Sequence, residues 1–321
     1  MSDVLLDVKH LKKYFPLSKD VSLHAVDDVS YTIERGKTLG IVGESGCGKS
    51  TMGRCVLRLL EPTEGEVWFD GTDICKVSKA KMRELRKDMQ IVFQDPFSSL
   101  DPRMTVSQAI AEPIRTGKIM KGAPKQDIKD RVCELMDTVG LARRLTDSYP
   151  HELDGGRRQR IGIARALAMN PKLIVCDEPV SALDVSIQAQ ILNLLIDLQE
   201  SMDLTYIFIT HDLSVVNHFS DDIAVMYLGQ VVEKAPAEEL FAHPLHPYTQ
   251  ALLSAIPIPA VRERKERILL KGELTSPINP PDECRFAKRC NFACESCKDG
   301  CPKLIETAPN HFVACHMVNK V

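Results

Sequence analysis

The sequence predicts an α/β fold with a mostly parallel sheet, and three observations carry that prediction. Thr38 to Val42 is a compact apolar strand that runs through a glycine-rich turn into a helix from about Lys49 to Leu60. Leu173 to Cys176 is a second apolar strand, ending in two consecutive acids, Asp177 and Glu178. Around them strand and helix patterns alternate, as they do where helices cross over a parallel sheet.

In chain order, Val4 to Val8 and Val26 to Ile33 read as short strands, joined by a loop that holds Phe15, Pro16 and Ser18. Met89 to Phe93 is a further strand. Gln94 to Leu153 is mostly helical, punctuated by Asp95-Pro96, Asp101-Pro102 and Tyr149-Pro150, and reads as an insertion into the core. Gly155 to Met169 reads as a helix that Asn170-Pro171 stops, because proline cannot donate to the helical ladder. Ser186 to Glu200 sets Ile187, Ile191, Leu194, Leu195 and Leu198 on one helical face. Thr205 to Thr210, rich in β-branched and aromatic residues, is another strand.

A chain of 321 residues is long enough for more than one core. A net charge of -3 provides no global basic field, which argues against a nucleic-acid partner. No apolar run approaches the roughly 20 residues that span a bilayer. Met1 to Lys13 mixes charged and apolar residues, unlike the core of a signal peptide. The expectation is a cytosolic protein that can dock on a membrane protein. Six of the 11 cysteines (Cys284, Cys290, Cys294, Cys297, Cys301, Cys315) lie in the last 38 residues. In a reducing compartment such a cluster is not a disulfide framework.

The chemistry starts at Gly43-Glu44-Ser45-Gly46-Cys47-Gly48-Lys49-Ser50, which fits G-x-x-x-x-G-K-[ST]. The glycines let the backbone curl so that amides point at phosphate oxygens, and the following helix adds its positive end. Lys49 supplies a full charge to the phosphates, and the Ser50 hydroxyl is a hard ligand for Mg²⁺. The acids after Leu173 to Cys176 reach the sheet's C-terminal edge, where ligands bind in such folds. Asp177 is placed to hold Mg²⁺ and Glu178 to polarise the attacking water. Gln94 and His211 each follow a strand, suited to Mg²⁺ or water and to the γ-phosphate respectively.

Taken together and in order, these residues resemble the ATPase subunits of ABC transporters, along the chain to about Pro259. The set comprises Walker A at Gly43 to Thr51, the Q-loop at Gln94, the signature at Leu153 to Gln159, Walker B at Leu173 to Glu178, the D-loop Ser181-Ala-Leu-Asp184 and the H-loop at His211. The resemblance implies a P-loop NTPase core of RecA type with a β-subdomain, occupying residues 1–260 with a helical subdomain at about 94–156. A small cysteine-rich extension would occupy 261–321. It implies two subunits that clamp two ATP molecules head to tail, each between one Walker A and the other subunit's signature. Glu178, His211 and Gln94 then act in hydrolysis. Ser50, Gln94 and Asp177 serve Mg²⁺. Asp154, Gly155, Gly156 and Asp184 join Gly43 to Thr51 around the nucleotide. Phe15, with Tyr14 second, is the aromatic expected on adenine.

Gln94-Asp-Pro-Phe-Ser-Ser-Leu-Asp-Pro102 and His243-Pro-Leu-His-Pro-Tyr-Thr249 resemble the oligopeptide and dipeptide importers within that family. That branch implies peptide import, with nickel or another small solute as an alternative and a soluble ABC ATPase as a rival class. It implies a peripheral place on the cytoplasmic face of the membrane. The partners implied are a paralogous ATPase subunit, two transmembrane permeases and an extracytoplasmic solute-binding protein. Phe97 and Leu100 in the Q-loop are expected to fill a groove for a partner helix.

The signature departs from the family's Leu-Ser-Gly-Gly-Gln, reading Leu153-Asp154-Gly155-Gly156-Arg157. A serine donates to the γ-phosphate, whereas an ionised aspartate only accepts and adds like charge. The composite site built on this signature is therefore expected to be catalytically poor, which suggests a heterodimer. In the tail, Cys284-x5-Cys290-x6-Cys297-x17-Cys315 is the expected ligand set. Four thiolates suit a [4Fe–4S] cluster or Zn²⁺, and the segment resembles importer ATPases with a reported iron–sulfur cluster.

Overall fold

The computed structural model describes residues 3–95, 97–256, 267–273 and 275–318. The expected boundary at 260/261, with its charged run Val261 to Glu266, and Pro96 of the Q-loop lie outside the described residues. The chain forms two compact units, residues 1–76 with 208–321, and residues 77–207.

The first unit opens with two long strands, β1 (Val4–Ser18) and β2 (Val21–Glu34), followed by β3 (Thr38–Val42), α1 (Lys49–Val56), β4 (Glu64–Phe69) and β5 (Thr72–Asp73). The expected loop at Phe15 to Ser18 is instead part of β1. Phe15 faces Leu23 and Pro16 faces Ser22, and the antiparallel register continues to Ser18 opposite Val21. Lys-Lys-Tyr-Phe-Pro shows no clean alternation, so only the partner strand reveals it as a strand. These strands form an antiparallel sheet in the order β2-β1-β4-β5.

The second unit contains α2 (Lys79–Leu85), β6 (Met89–Val92), α3 (Val106–Thr116), α4 (Lys125–Thr138), α5 (Gly155–Leu167), β7 (Leu173–Asp177) and α6 (Val185–Met202). β6 and β7 pair in parallel, Met89 beside Leu173 through Val92 beside Cys176, as expected. Thr105 starts α3 with a capping box, accepting from the Gln108 amide while Gln108 accepts in return. Of the apolar face expected on α6, Ile191, Leu195 and Leu198 are the buried members. β8 (Thr205–Thr210) leads the chain out of this unit.

The first unit resumes with α7 (Leu213–Phe219), β9 (Asp222–Tyr227), β10 (Gln230–Pro236), α8 (Ala237–Ala242), α9 (Pro247–Ser254), β11 (Ile305–Ala308) and β12 (His311–Val313). Its second sheet runs β11-β12-β10-β9-β3, with β3 and β9 parallel and the rest antiparallel. The cysteine-rich tail thus ends as a hairpin on the edge of this sheet. A fully buried Glu233 on β10 secures it: the His311 ring lies 2.8 Å from its Oε1, and the Leu245 and His246 amides donate to its two oxygens. Among the described residues no helix is long and apolar enough to cross a membrane.

Candidate functional site

In the first unit, β3 is buried along its whole length and delivers the glycine-rich loop to the start of α1. Gly48 caps that helix with φ of 105°, and a Cβ there would stand 2.0 Å from the Ala25 carbonyl oxygen, so no other residue fits. Lys49 is only 4% exposed. Its ammonium donates to the carbonyls of Gly43 (2.7 Å) and Glu44 (3.0 Å), folding the loop around the charge that would meet phosphate. The Glu44 amide donates to the Tyr248 hydroxyl at 3.0 Å, and Arg289 grips the Glu44 carboxylate at both oxygens. Cys47 is buried beneath the loop, which raises its thiol above the usual range. Ser50 and Thr51 lie in the first turn of α1.

His211 is exposed and directly follows β8, where Asp212 caps α7 by accepting from the Ser214 amide at 2.8 Å. Of the two aromatics considered for adenine, Tyr14 is committed elsewhere. Its ring stacks on His24 with centroids 3.8 Å apart, its hydroxyl donates to Asp27, and burial together with that bond holds the phenol above its usual range. Phe15 is half-buried with the Lys13 ammonium 5.0 Å from its ring centre.

In the second unit, β7 carries Asp177 to its end at 2% exposure. Glu178 follows with a φ of 49°, a left-handed conformation uncommon for such a residue and one that concentrates at functional sites. The Gln94 amide nitrogen donates to Glu178 Oε2 at 2.9 Å, which brings together two residues distant in sequence. Leu153 is buried and Asp154 caps α5: its Oδ1 accepts from the Arg157 amide at 2.8 Å, and its Oδ2 lies 3.4 Å from Arg157 Nε. A Cβ on Gly156 would stand 2.6 Å from the Ile187 side chain, so this glycine permits close approach of α6. Asp184 stands at the N-cap position of α6, at the end of the D-loop, with no side-chain hydrogen bond to the helix.

The Q-loop expectation needs one correction. Leu100 is 4% exposed, so its side chain is buried rather than presented to a partner. Phe97 is 56% exposed with the Arg158 guanidinium 5.0 Å over its ring. Nearby, a cavity of about 290 Å³ is lined by Phe93, Ser99, Gln159 and Arg165. There Gln159 Nε2 and Arg165 Nε are buried without a hydrogen-bond partner.

In the tail, Cys294 and Cys297 Sγ are 3.7 Å apart, while the Cys301 thiol turns to Gln230 Oε1 at 3.2 Å. Burial pushes the Cys284 thiol up to about 12, with Cys297, Cys301 and Cys315 adding to the effect. Cys290 is raised in the same way by burial, with Cys315, Cys297 and Cys294 adding to it. Among the described residues no group of three or more His, Cys, Asp or Glu side chains is arranged to hold a metal ion. Sequence reasoning passed over Arg289 and Tyr248. Tyr248 lies inside the His243 to Thr249 motif and Arg289 directly precedes Cys290, but nothing in the sequence shows that they meet at Glu44.

This fold and loop define an ATP-binding cassette. The family described as ABC transporter matches residues 26–181, and the one described as oligopeptide/dipeptide transporter, C-terminal region, matches residues 232–297. The chain is 52% identical over 98% of both chains to the oligopeptide transport ATP-binding protein AppF of Bacillus subtilis (strain 168). It is 50% identical to the putative oligopeptide transport ATP-binding protein YkfD of the same organism, over 98% of this chain and 95% of that one. Among solved structures, the ATP-binding cassette MJ0796 in a post-hydrolysis state bound to ADP and Pi superposes with a TM-score of 0.66 at 31% identity, covering 72% of this chain and 98% of that one. CbiO1 of Clostridium perfringens, part of the ABC transporter complex cbiONQ, gives 0.66 at 32% identity over 75% and 92%. The chain belongs to the ABC transporter family, in the branch that carries the oligopeptide/dipeptide transporter C-terminal region.

Proposed function

We infer that this chain binds and hydrolyses ATP to energise import of oligopeptides through an ABC transporter. The relatives' names favour peptides over nickel or another small solute. The observation that supports the motor role most is the Gln94–Glu178 hydrogen bond at the end of β7. It joins the proposed general base to Gln94, two residues past the end of β6, in the loop that leads on to the exposed Phe97 and the cavity with unpartnered Gln159 and Arg165 donors. A permease segment bearing backbone or side-chain acceptors would satisfy those donors, and its movement would be felt at Glu178. In this reading Lys49 and the amides of Gly43 to Thr51 hold the phosphates. Ser50, Asp177 and Gln94 serve Mg²⁺, His211 the γ-phosphate and Phe15 the adenine.

The subunit would sit peripherally on the cytoplasmic face against two permeases, fed by an extracytoplasmic solute-binding protein. Asp154 supports pairing with a paralogous ATPase that contributes a serine signature. For the tail, the Cys284-x5-Cys290-x6-Cys297-x17-Cys315 spacing supports a [4Fe–4S] cluster, with Zn²⁺ as the alternative. Its role would be structural.

Glu178→Gln is the test. The amide keeps the side chain's shape but cannot polarise water. Steady-state phosphate release should vanish while ATP binding persists. A variant that hydrolyses ATP near the wild-type rate would remove Glu178 as the base.

A further inference from the structure

We propose that Arg289, in the cysteine-rich tail, is a positioning residue for the phosphate-binding loop, and that through it the tail is part of the nucleotide machinery rather than an appendage. The proposal rests on the nucleotide reading of Gly43 to Thr51.

Glu44 is the first variable residue of the loop and is held at three points. Its amide donates to the Tyr248 hydroxyl (3.0 Å), its carbonyl accepts from the Lys49 ammonium (3.0 Å), and its carboxylate takes a two-point grip from Arg289 at 2.5 and 3.0 Å. The Lys49 contact gives the arrangement its meaning. The cation that would meet the phosphates is oriented by a carbonyl whose own residue is clamped from the tail. A paired guanidinium also keeps the Glu44 carboxylate from standing as an uncompensated negative charge beside an anionic ligand.

Arg289 is itself fixed. It is 9% exposed, its guanidinium lies 5.9 Å over the Tyr227 ring, and the paired carboxylate raises its pKa. Tyr227 meets Tyr248 and Phe286 edge-on at 4.8 and 5.2 Å. The turn that presents Arg289 is closed by cysteine backbone: Ala287 donates to the Cys284 carbonyl, Arg289 and Cys290 donate to Phe286, and Cys284 donates to Cys297. The cysteine segment thus sets where Arg289 stands, and Arg289 sets where Glu44 stands.

The test is ATP binding by the full chain, measured with wild type, Arg289→Met, Arg289→Lys, Glu44→Gln and the Arg289→Met/Glu44→Gln double variant, with Lys49→Ala as control. Arg289→Met should weaken ATP binding on the order of 10- to 100-fold, the range for a lost hydrogen bond to a charged group. It should raise KM for ATP more than it lowers kcat. Arg289→Lys keeps the charge but loses the fork, and should fall between. The double variant should be no worse than Arg289→Met, because the two residues act as one pair. Wild-type affinity in Arg289→Met, or multiplying effects in the double variant, would overturn the proposal. Glu44→Gln attacks the pair without touching the tail, so unchanged affinity there overturns it even if Arg289→Met fails to fold. If Lys49→Ala binds ATP as wild type does, the nucleotide reading itself falls, and the role of Arg289 with it.

Discussion

Asp154 gives the sharpest quantitative test, because the structure assigns it a job unrelated to its expected defect. Its carboxylate caps α5 through the Arg157 amide at 2.8 Å, and a capping side chain contributes about 1 kcal/mol. The ion pair with Arg157, at 3.4 Å with side chains 59% and 47% exposed, adds at most a few tenths after screening. Serine ranks with aspartate as a cap, so Asp154→Ser should hold stability within about 0.5 kcal/mol, while Asp154→Ala should lose about 1 kcal/mol. The catalytic expectation runs separately. Serine restores a donor to the γ-phosphate and removes a like charge, and one such donor is typically worth about 10²–10³ in rate. Phosphate release by the isolated chain, read beside its thermal unfolding, separates the two effects. Asp154→Ser should raise turnover at unchanged stability, and Asp154→Ala should lower stability without restoring turnover. Equal turnover in Asp154→Ser and wild type would refute the account. So would an isolated wild-type chain as active as its mixture with a paralogous ATPase.

Burial depresses His246 to about 3, and its Nδ1 accepts from the Tyr248 amide. The unfolded chain takes up a proton near the ordinary histidine value of 6.5 while the folded one does not, so stability contributed above pH 6.5 is lost as pH falls toward 3. His246→Asn, which keeps an acceptor but does not titrate, should flatten the acid limb of denaturant-unfolding free energy against pH, and an unchanged limb would count against it. Iron and sulfide analysis of anaerobically purified protein should find both, and Cys290→Ser or Cys315→Ser should reduce them. Stoichiometric zinc without iron would refute the cluster.

Much of the core was legible because local patterns and tertiary pairing agree there. β3, the start of α1, β6, β7, α5 and β8 stand within a residue or two of the sequence reading, each bounded by glycine, proline or acidic residues that punctuate for clear reasons. The β1–β2 hairpin was cut short because Tyr14 to Ser18 shows neither alternation nor an apolar run. Its strand character comes from the register with Val21 to His24. β4, β5 and α2, between Glu64 and Leu85, went unread for similar reasons. The motif residues Lys49, Asp177, Glu178 and Gln94 were found because their chemistry is written in local spacing. Leu100 was misjudged because an apolar residue in a polar loop reads alike whether it faces in or out. The pairs Arg289–Glu44 and His311–Glu233 are separated by 245 and 78 positions and leave no local trace.

The hairpin of β11 and β12 has a practical consequence for anyone who shortens this chain. β12 occupies the open side of β10, so a truncation before Ile305 would bare the backbone donors and acceptors of β10 along a largely buried, apolar strand. Unpaired edges of that kind template association with other chains. Glu233 would also lose the histidine that faces it inside the protein. A truncated protein that precipitates would therefore report on a bared strand edge, and cysteine-to-serine variants that keep the hairpin are the cleaner route to the role of the thiols.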